Sequence, residues 1–550
     1  MSVMKSRGRR AGLVAMVFGF AAIVVTAQQP AVQPSKRDAA LQTPPTATVR
    51  VIVSTVPGAA AQVADDMRLR GRARVRLYSL IDAVATDATA ADLDALDVDP
   101  AVTRVSLDAM VATNGGPAPS GTGECGPLMD TLGAPFQGLT GKGVGVAILD
   151  SGLEQNGDFS GTAFYDFTGG TPAGPYDDYG HGTHVAGLIA SKGTLSQKVC
   201  TGVAPRVNLV SLKVLDSEGR GATSTVIAAL EFATQHKVDL GIDVINLSLG
   251  HPILESAATD PLVRAVEAAV RAGLVVVVSA GNVGRNITTG EPGYAGILSP
   301  GNAPSAITVG ALDTRGTTSR SDDLVPAFSS RGPTWYDAQA KPDLVAPGQG
   351  LISDAAIGST LYARYPDRRV SAGGGIPRLF RLSGTSMSAA LTSGVAALLI
   401  EAGRQANGAT PSPAAVKAVL SYTALPVSAA DPLTQGHGAL NPAGAIALMT
   451  AHASGTGSIG AAAGTVSAAT TIAGESWTWG QTVVWGNTVV WGNANDPAGP
   501  YWAQTVVWGN TVVWGNTVVW GNAATVVWGN TVVWGNTVVW GNASASGNNN

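Results

Sequence analysis

The chain has 550 residues, 45% of them hydrophobic and 13% charged, with a formal net charge of −4. That is enough apolar material for a large buried core, and the length suits three or four folding units. The mild acidity and the absence of a basic patch in the central segment argue against a nucleic-acid partner.

Lys5, Arg7, Arg9 and Arg10 precede an uncharged stretch, residues 11–27, that ends Val25-Thr-Ala27. Positive, apolar and small-residue regions in that order read as a secretory signal peptide over 1–27. The stretch is short for a membrane span, so retention as an anchor is the second reading. Arg9-Arg10 also permits a twin-arginine route. Export makes the protein secreted, extracellular or cell-surface. It also lets the two cysteines, Cys125 and Cys200, join as one disulfide, with two buried free thiols as the alternative.

Residues 28–47, rich in Gln, Pro, Ala and Thr, read as a linker. Over 48–112 the pattern predicts strands at 49–54, 75–80 and 102–107 and helices near 59–70 and 89–96, a small α+β unit. The basic run from Arg68 to Arg76 within it reads as a solvated strand edge. Residues 113–125 are rich in Gly, Pro and Ser and suit proteolytic processing. From 126 to 450, apolar runs at 144–149, 207–214, 244–248 and 274–279 alternate with helical stretches at 225–235 and 261–272. That alternation predicts an α/β fold with a doubly wound parallel sheet.

Four short strings carry the chemistry. Asp150 closes Val146-Ala-Ile-Leu-Asp150-Ser-Gly152 at the carboxyl end of a buried strand, where open α/β sheets hold their sites and where a carboxylate can orient an imidazole. His181 opens His181-Gly-Thr-His-Val-Ala-Gly187 at a helix start and suits a general base. His184 in the same string reads as a packed neighbour, with the base role as its alternative. Ser386, in Ser383-Gly-Thr-Ser-Met387, begins a long helix whose first amides and dipole favour negative charge on its reacting partner. Asn282, in Ser279-Ala-Gly-Asn282, ends another strand and offers a side-chain amide to a developing oxyanion. His236, His251, His437 and His452 have no carboxylate or cysteine at ligand spacing and read as surface or packing residues.

These strings, in the order Asp, His, Asn, Ser, resemble the subtilisin-like serine proteases. The resemblance continues through Gly202-Val-Ala-Pro205, Val244-Ile-Asn-Leu-Ser-Leu-Gly250, Phe328-Ser-Ser-Arg-Gly-Pro333 and Lys341-Pro-Asp-Leu-Val-Ala-Pro-Gly348, so it covers 126–450. It implies a serine endopeptidase acting through Asp150, His181 and Ser386, with Asn282 in the oxyanion hole and no required cofactor. Extended polypeptides would pair with Gly219, Gly221, Ser248, Leu249 and Gly250. If Ser299-Pro300-Gly301 matches the family's turn, Leu298 lies at the base of the primary pocket and disfavours large aromatics. Asp158 stands where relatives often ligate calcium, which leaves that ion open. The 48–112 unit, with Val105-Ser-Leu-Asp108, resembles the family's inhibitory propeptide, an alternative being an unrelated small domain. The chain departs from the pattern at Ser388-Ala-Ala-Leu391, where relatives carry a proline and a histidine. It also departs over 350–381, which reads as an inserted surface loop.

Residues 451–481 read as a linker. Over 482–542 the hexapeptide Thr-Val-Val-Trp-Gly-Asn occurs eight times, before a short tail at 543–550. Each unit is a β-favouring run followed by a turn dipeptide and predicts a meander of hairpins sharing a tryptophan face, with an unstructured tail as the alternative. Such a face suits self-association or surface attachment. A second function follows from it: an adhesion or surface protein in which the repeats carry the main role and the protease serves self-processing.

Overall fold

In the strand Gly145–Asp150, Val146 and Ile148 belong to one apolar core while Ala147 and Leu149 between them belong to another. The strands Ile242–Leu247 and Val275–Ser279 divide in the same way, with Val244, Val275 and Val277 on the first side and Ile245, Leu247, Val276 and Val278 on the second. Burial on both faces is why these strands read as unbroken apolar runs. This computed structural model describes residues 35–479 apart from 43–46, 118–125, 160, 171–173, 286–291, 373–374, 429, 455–458 and 473, and beyond them the backbone of short strands between 484 and 546. The signal-peptide reading over 1–27 lies outside the described residues.

The main sheet has seven parallel strands in the order Leu344–Pro347, Ile307–Leu312, Val275–Ser279, Ile242–Leu247, Gly145–Asp150, Asn208–Lys213, Ala163–Asp166. Helices His181–Ala190 and Thr385–Asn407 cover one face, and Thr223–Gln235 and Pro261–Arg271 the other. From Gly145–Asp150 the chain places Asn208–Lys213 on one side and then crosses to Ile242–Leu247 on the other, so the crevice beyond its carboxyl end is the topological switch point. The helix Thr385–Asn407 is long and apolar enough to cross a membrane, but it is buried inside the fold as a core helix.

The described residues of 350–381 form a packed element rather than a surface loop. The strand Leu351–Asp354 pairs antiparallel with Leu379–Ser383, and Leu361, Tyr362 and Phe380 bury their side chains in the main core. The segment is polar and glycine-rich at its tip, and its few apolar residues supply the packing.

The N-terminal unit is a four-stranded antiparallel sheet, Arg76–Tyr78, Ala83–Ala88, Val49–Thr55, Val102–Leu107, with helices Ala60–Leu69 and Ala90–Val98. The strand Ala83–Ala88 was not legible, because its alanines lack β-branching and it is held by pairing with neighbours on both edges. Residues 36–42 are not linker: Arg37, Asp38 and Leu41 are buried, and Asp38 accepts from the Leu107 amide at 2.6 Å. Four of the run's five arginines pair within the unit, Arg68 on Asp65, Arg70 on Asp66, Arg72 on Asp92 and Arg74 on Asp87, while Arg76 lies over the Tyr78 ring.

At the other end the fold continues past residue 450. The helix Ile459–Ala463 and the hairpin Ala469–Ile472 with Glu475–Thr478 follow, and Trp479 is buried against Tyr422, Leu425 and Ile472. Beyond it, nine strands alternate between two sheets, and each pairs in parallel with the strand two before it. Thr505 stands opposite Thr517, Val506 opposite Val518 and Trp508 opposite Trp520. This corrects the antiparallel meander. Parallel pairing sets each residue type beside its own copy, whereas antiparallel pairing of Thr-Val-Val-Trp sets Thr opposite Trp.

Candidate active site

Asp150 ends its strand with the carboxylate 1% exposed, accepting from the Ser151 amide at 2.7 Å. His181 Nδ1 lies 2.8 and 2.9 Å from the two Asp150 oxygens. The contact leaves Nε2 facing the cleft, where it is buried with no hydrogen-bond partner among the described residues. The helix start that aims the ring is fixed by Asp177, whose carboxylate takes the Ser151 hydroxyl, the Gly180 amide and both the amide and hydroxyl of Thr183. Below it, the buried Lys213 donates to Asp178 and to the carbonyls of Ser151 and Leu215.

Ser386 is the second residue of its helix, after Gly384 at φ 153°, and is fully buried. A β-carbon at Gly384 would lie 2.3 Å from the Asn114 carbonyl oxygen, so the turn admits only glycine. The Ser386 hydroxyl donates to the Ser248 carbonyl at 3.0 Å, and the Ser248 hydroxyl donates back to the Ser386 carbonyl at 3.1 Å. Despite the altered Ser388-Ala-Ala-Leu391 string, the helix is regular, with the Ser388 hydroxyl on the Ala346 carbonyl at 2.9 Å.

The cleft is occupied by the chain's own residues. The strand Met110–Thr113 runs antiparallel between Arg220–Ala222 and Leu249–Gly250, with Val111 opposite Gly221, Ala112 opposite Gly250 and Thr113 opposite Leu249. The Thr113 amide donates to the Gly219 carbonyl at 3.2 Å and the Asn114 amide to the Ser248 carbonyl at 3.1 Å. All five residues read as the peptide-pairing edge therefore line this strand.

At its end the Asn114 carbonyl accepts from Asn282 Nδ2 at 2.6 Å and from the Ser386 amide at 3.2 Å. Asn282 is aimed by Thr385, whose amide and hydroxyl both donate to Asn282 Oδ1 at 3.1 Å. A β-carbon at Gly115 would stand 2.5 Å from His181 Nε2. Gly116 and Pro117 then pair antiparallel with Ser383 and Leu382. One carbonyl thus sits between two amide donors, with its peptide bond between the Ser386 and His181 side chains.

The Asn114 carboxamide points into a pocket, where Nδ2 donates to the buried Ser279 hydroxyl at 2.8 Å. A β-carbon at Gly250 or Gly281 would meet the Leu298 side chain at 3.1 or 2.7 Å, so Leu298 fills the space that these two glycines leave open.

Among the other sequence-predicted residues, His184 is fully buried with Nε2 3.1 Å from the carbonyls of Leu351 and Phe380. Burial, then His181, pushes it down to about 3, so it is a neutral packing residue. Asp158 takes the amides of Thr194 and Leu195, and its neighbour Asp354 is pushed up to about 8 by burial and then by Asp158 itself. No cluster of three metal-capable side chains occurs among the described residues. Cys200 is disulfide-bonded; the chain's other cysteine, Cys125, lies outside the described residues. Thr385, Ser279 and the occupant Asn114 were missed. Thr385 and Ser279 stand inside the strings already singled out, and Asn114-Gly115 inside the processing segment.

Residues 141–445 match the model of the subtilase family. Serine protease AprX of Bacillus subtilis (strain 168) is 40% identical over 312 residues, 56% of this chain and 66% of that protein. An alkaline protease of Shouchella clausii is 33% identical over 58% of this chain and 70% of its own length. Subtilisin DY of Bacillus licheniformis is 33% identical over 50% and 82%. Among solved structures, fervidolysin from Fervidobacterium pennivorans, described as a keratinolytic enzyme related to subtilisin, shares the fold with a TM-score of 0.58 at 21% identity, over 75% of this chain and 64% of that one.

Proposed function

The chain belongs to the subtilase family of serine endopeptidases, and we propose that it hydrolyses extended polypeptides through an acyl-enzyme on Ser386. Asp150 holds the His181 ring, His181 Nε2 takes the Ser386 proton, and Asn282 with the Ser386 amide stabilises the oxyanion. For the attack, the Ser386 hydroxyl turns from the Ser248 carbonyl, its present partner, to Nε2; such bonds commonly tighten only in the reacting complex. The observation that carries this reading is the double grip on one carbonyl, by Asn282 Nδ2 and the Ser386 amide.

In the same reading the protein is secreted, residues 1–27 direct export, and the unit over 48–112 is a propeptide that the enzyme removes from itself. Support comes from how that unit meets the body: Tyr78 on the Ser224 carbonyl, Asp108 on the Ser224 amide and hydroxyl, and Arg104 on Glu255 at 2.7 Å. Incubating the mature protein with an unrelated unfolded protein should yield fragments, and a serine-directed inhibitor should abolish them. No fragments in either arm would overturn the reading and leave the repeats with the main role.

A further inference from the structure

Four consecutive residues of the cleft strand differ sharply in exposure: Val111 is 0% exposed, Ala112 is exposed, Thr113 is half-buried and Asn114 is 5% exposed. Resting on the proposed serine chemistry, we propose that this cleft selects asparagine on the acyl side of the bond it cuts, with a branched aliphatic residue three positions before it and glycine after it. The bond it cuts in its own chain is Asn114–Gly115.

The pocket explains the asparagine. The Ser279 hydroxyl lies 3.4 Å from the Leu247 carbonyl, to which it donates, so a lone pair faces the incoming carboxamide N–H at 2.8 Å. A leucine or phenylalanine would leave that buried lone pair unmatched, and Leu298 beside Gly250 and Gly281 takes up the neighbouring space. Aspartate would bring a charge, and among the described residues no lysine or arginine bonds Asn114 or Ser279. Val111 joins the core cluster that holds Leu215, Leu247 and Leu249, so its position is read by apolar burial. Glycine follows because a β-carbon there would meet His181 Nε2 at 2.5 Å.

Among the described residues only the Asn114 carbonyl has both oxyanion donors, which places the scissile bond after it. Ser386 Oγ bonds to the Asn114 carbonyl carbon and its proton passes to His181. The Asn114–Gly115 C–N bond then breaks as that proton goes to the Gly115 nitrogen. Water, deprotonated by His181, hydrolyses the ester and leaves an Asn114 carboxylate and free Ser386.

The test is the new N-terminus of the matured full-length chain, read by terminal sequencing, together with reporter peptides Val-Ala-Thr-Xaa-Gly on the mature enzyme. We expect Gly115 first, and Asn favoured over Leu or Phe by at least ~10-fold in kcat/KM, since rejection of an analogue that leaves a buried polar group unpaired is strong. Ser279→Ala should collapse the Asn-to-Leu ratio toward one; where that variant does not fold, the wild-type panel decides alone. An N-terminus other than Gly115, or a preference for Leu or Phe, overturns the selectivity while leaving the serine protease intact. Maturation of Ser386→Ala expressed without other proteases would instead overturn the self-processing on which it rests.

Discussion

Asn282 does its work only if its amide faces the oxyanion and not the reverse, and Thr385 decides that by giving two hydrogens to Oδ1. Asn282→Ala should lower kcat by roughly 10²–10³ with little change in KM, because the donor acts on charge that develops in the transition state. Thr385→Val removes the hydroxyl that donates to Asn282 Oδ1 and accepts from the Gly281 amide; losing the first of these neutral bonds, about 1 kcal/mol, should cost about fivefold in kcat with KM unchanged. Thr385→Ser should restore it; an equal loss in KM would make the residue merely structural. The four residues proposed for catalysis were legible as candidates because each lies where a strand ends or a helix begins, and the structure brings all four to one carbonyl. Asn114 was not, since no local pattern says that an Asn-Gly dipeptide in a polar segment folds into the cleft. The Asp158–Asp354 pair was equally invisible, as it joins a turn to the end of a strand far away in sequence. Asp354 is held at about 8, above its ordinary 3.8, so the folded state binds this proton more tightly than the unfolded chain. Its contribution is complete below about pH 4 and is lost as pH rises through about 8. The Tm advantage of wild type over Asp354→Asn should therefore shrink between pH 5 and pH 9 in parallel thermal melts.

At the scale of elements, the parallel sheet was legible wherever a strand is apolar on both sides, and it faded where pairing alone makes the strand. Ala83–Ala88 is the clearest instance, an alanine-rich segment recruited by neighbours on both edges. The C-terminal boundary was misjudged for a related reason. Residues after 450 are small and polar in composition, yet one hairpin carries Trp479 into the fold and sets its Nε1 on Thr470 Oγ1 at 2.9 Å. Trp479→Ala should cost roughly 3–5 kcal/mol by leaving a cavity. A chain ended after residue 480 should keep the full-length Tm and kcat, while one ended after 454 should melt markedly lower. Matching melts for the two truncations would return the hairpin to the linker.

For the whole molecule, one chain contains an enzyme and a segment lying in that enzyme's cleft, held by the N-terminal unit's contacts with Ser224, Glu231 and Arg264. The parallel tail lies outside what periodicity could order, because a repeat that suits hairpins suits stacking of alternate copies equally well. The exposure pattern of the cleft strand has a consequence there. Val111 and Asn114, the two buried positions, stand three apart, and every repeat sets its second Val three before its Asn, as in Val484 and Asn487 or Val507 and Asn510. The exposed position between them falls on Trp, which needs no pocket. After the Asn comes Thr or Ala in place of glycine, so the crowding at His181 lets a repeat bind without ready cleavage. On the selectivity proposed above, a repeat released from its sheet would compete with substrate from within the same chain, at an effective concentration of about millimolar. Removing the tail after residue 480 should lower the apparent KM for a Val-Ala-Thr-Asn-Gly reporter at constant kcat, and a free Val-Trp-Gly-Asn-Thr peptide should restore the original value in steady-state assays; an unchanged KM would mean the repeats never reach the cleft.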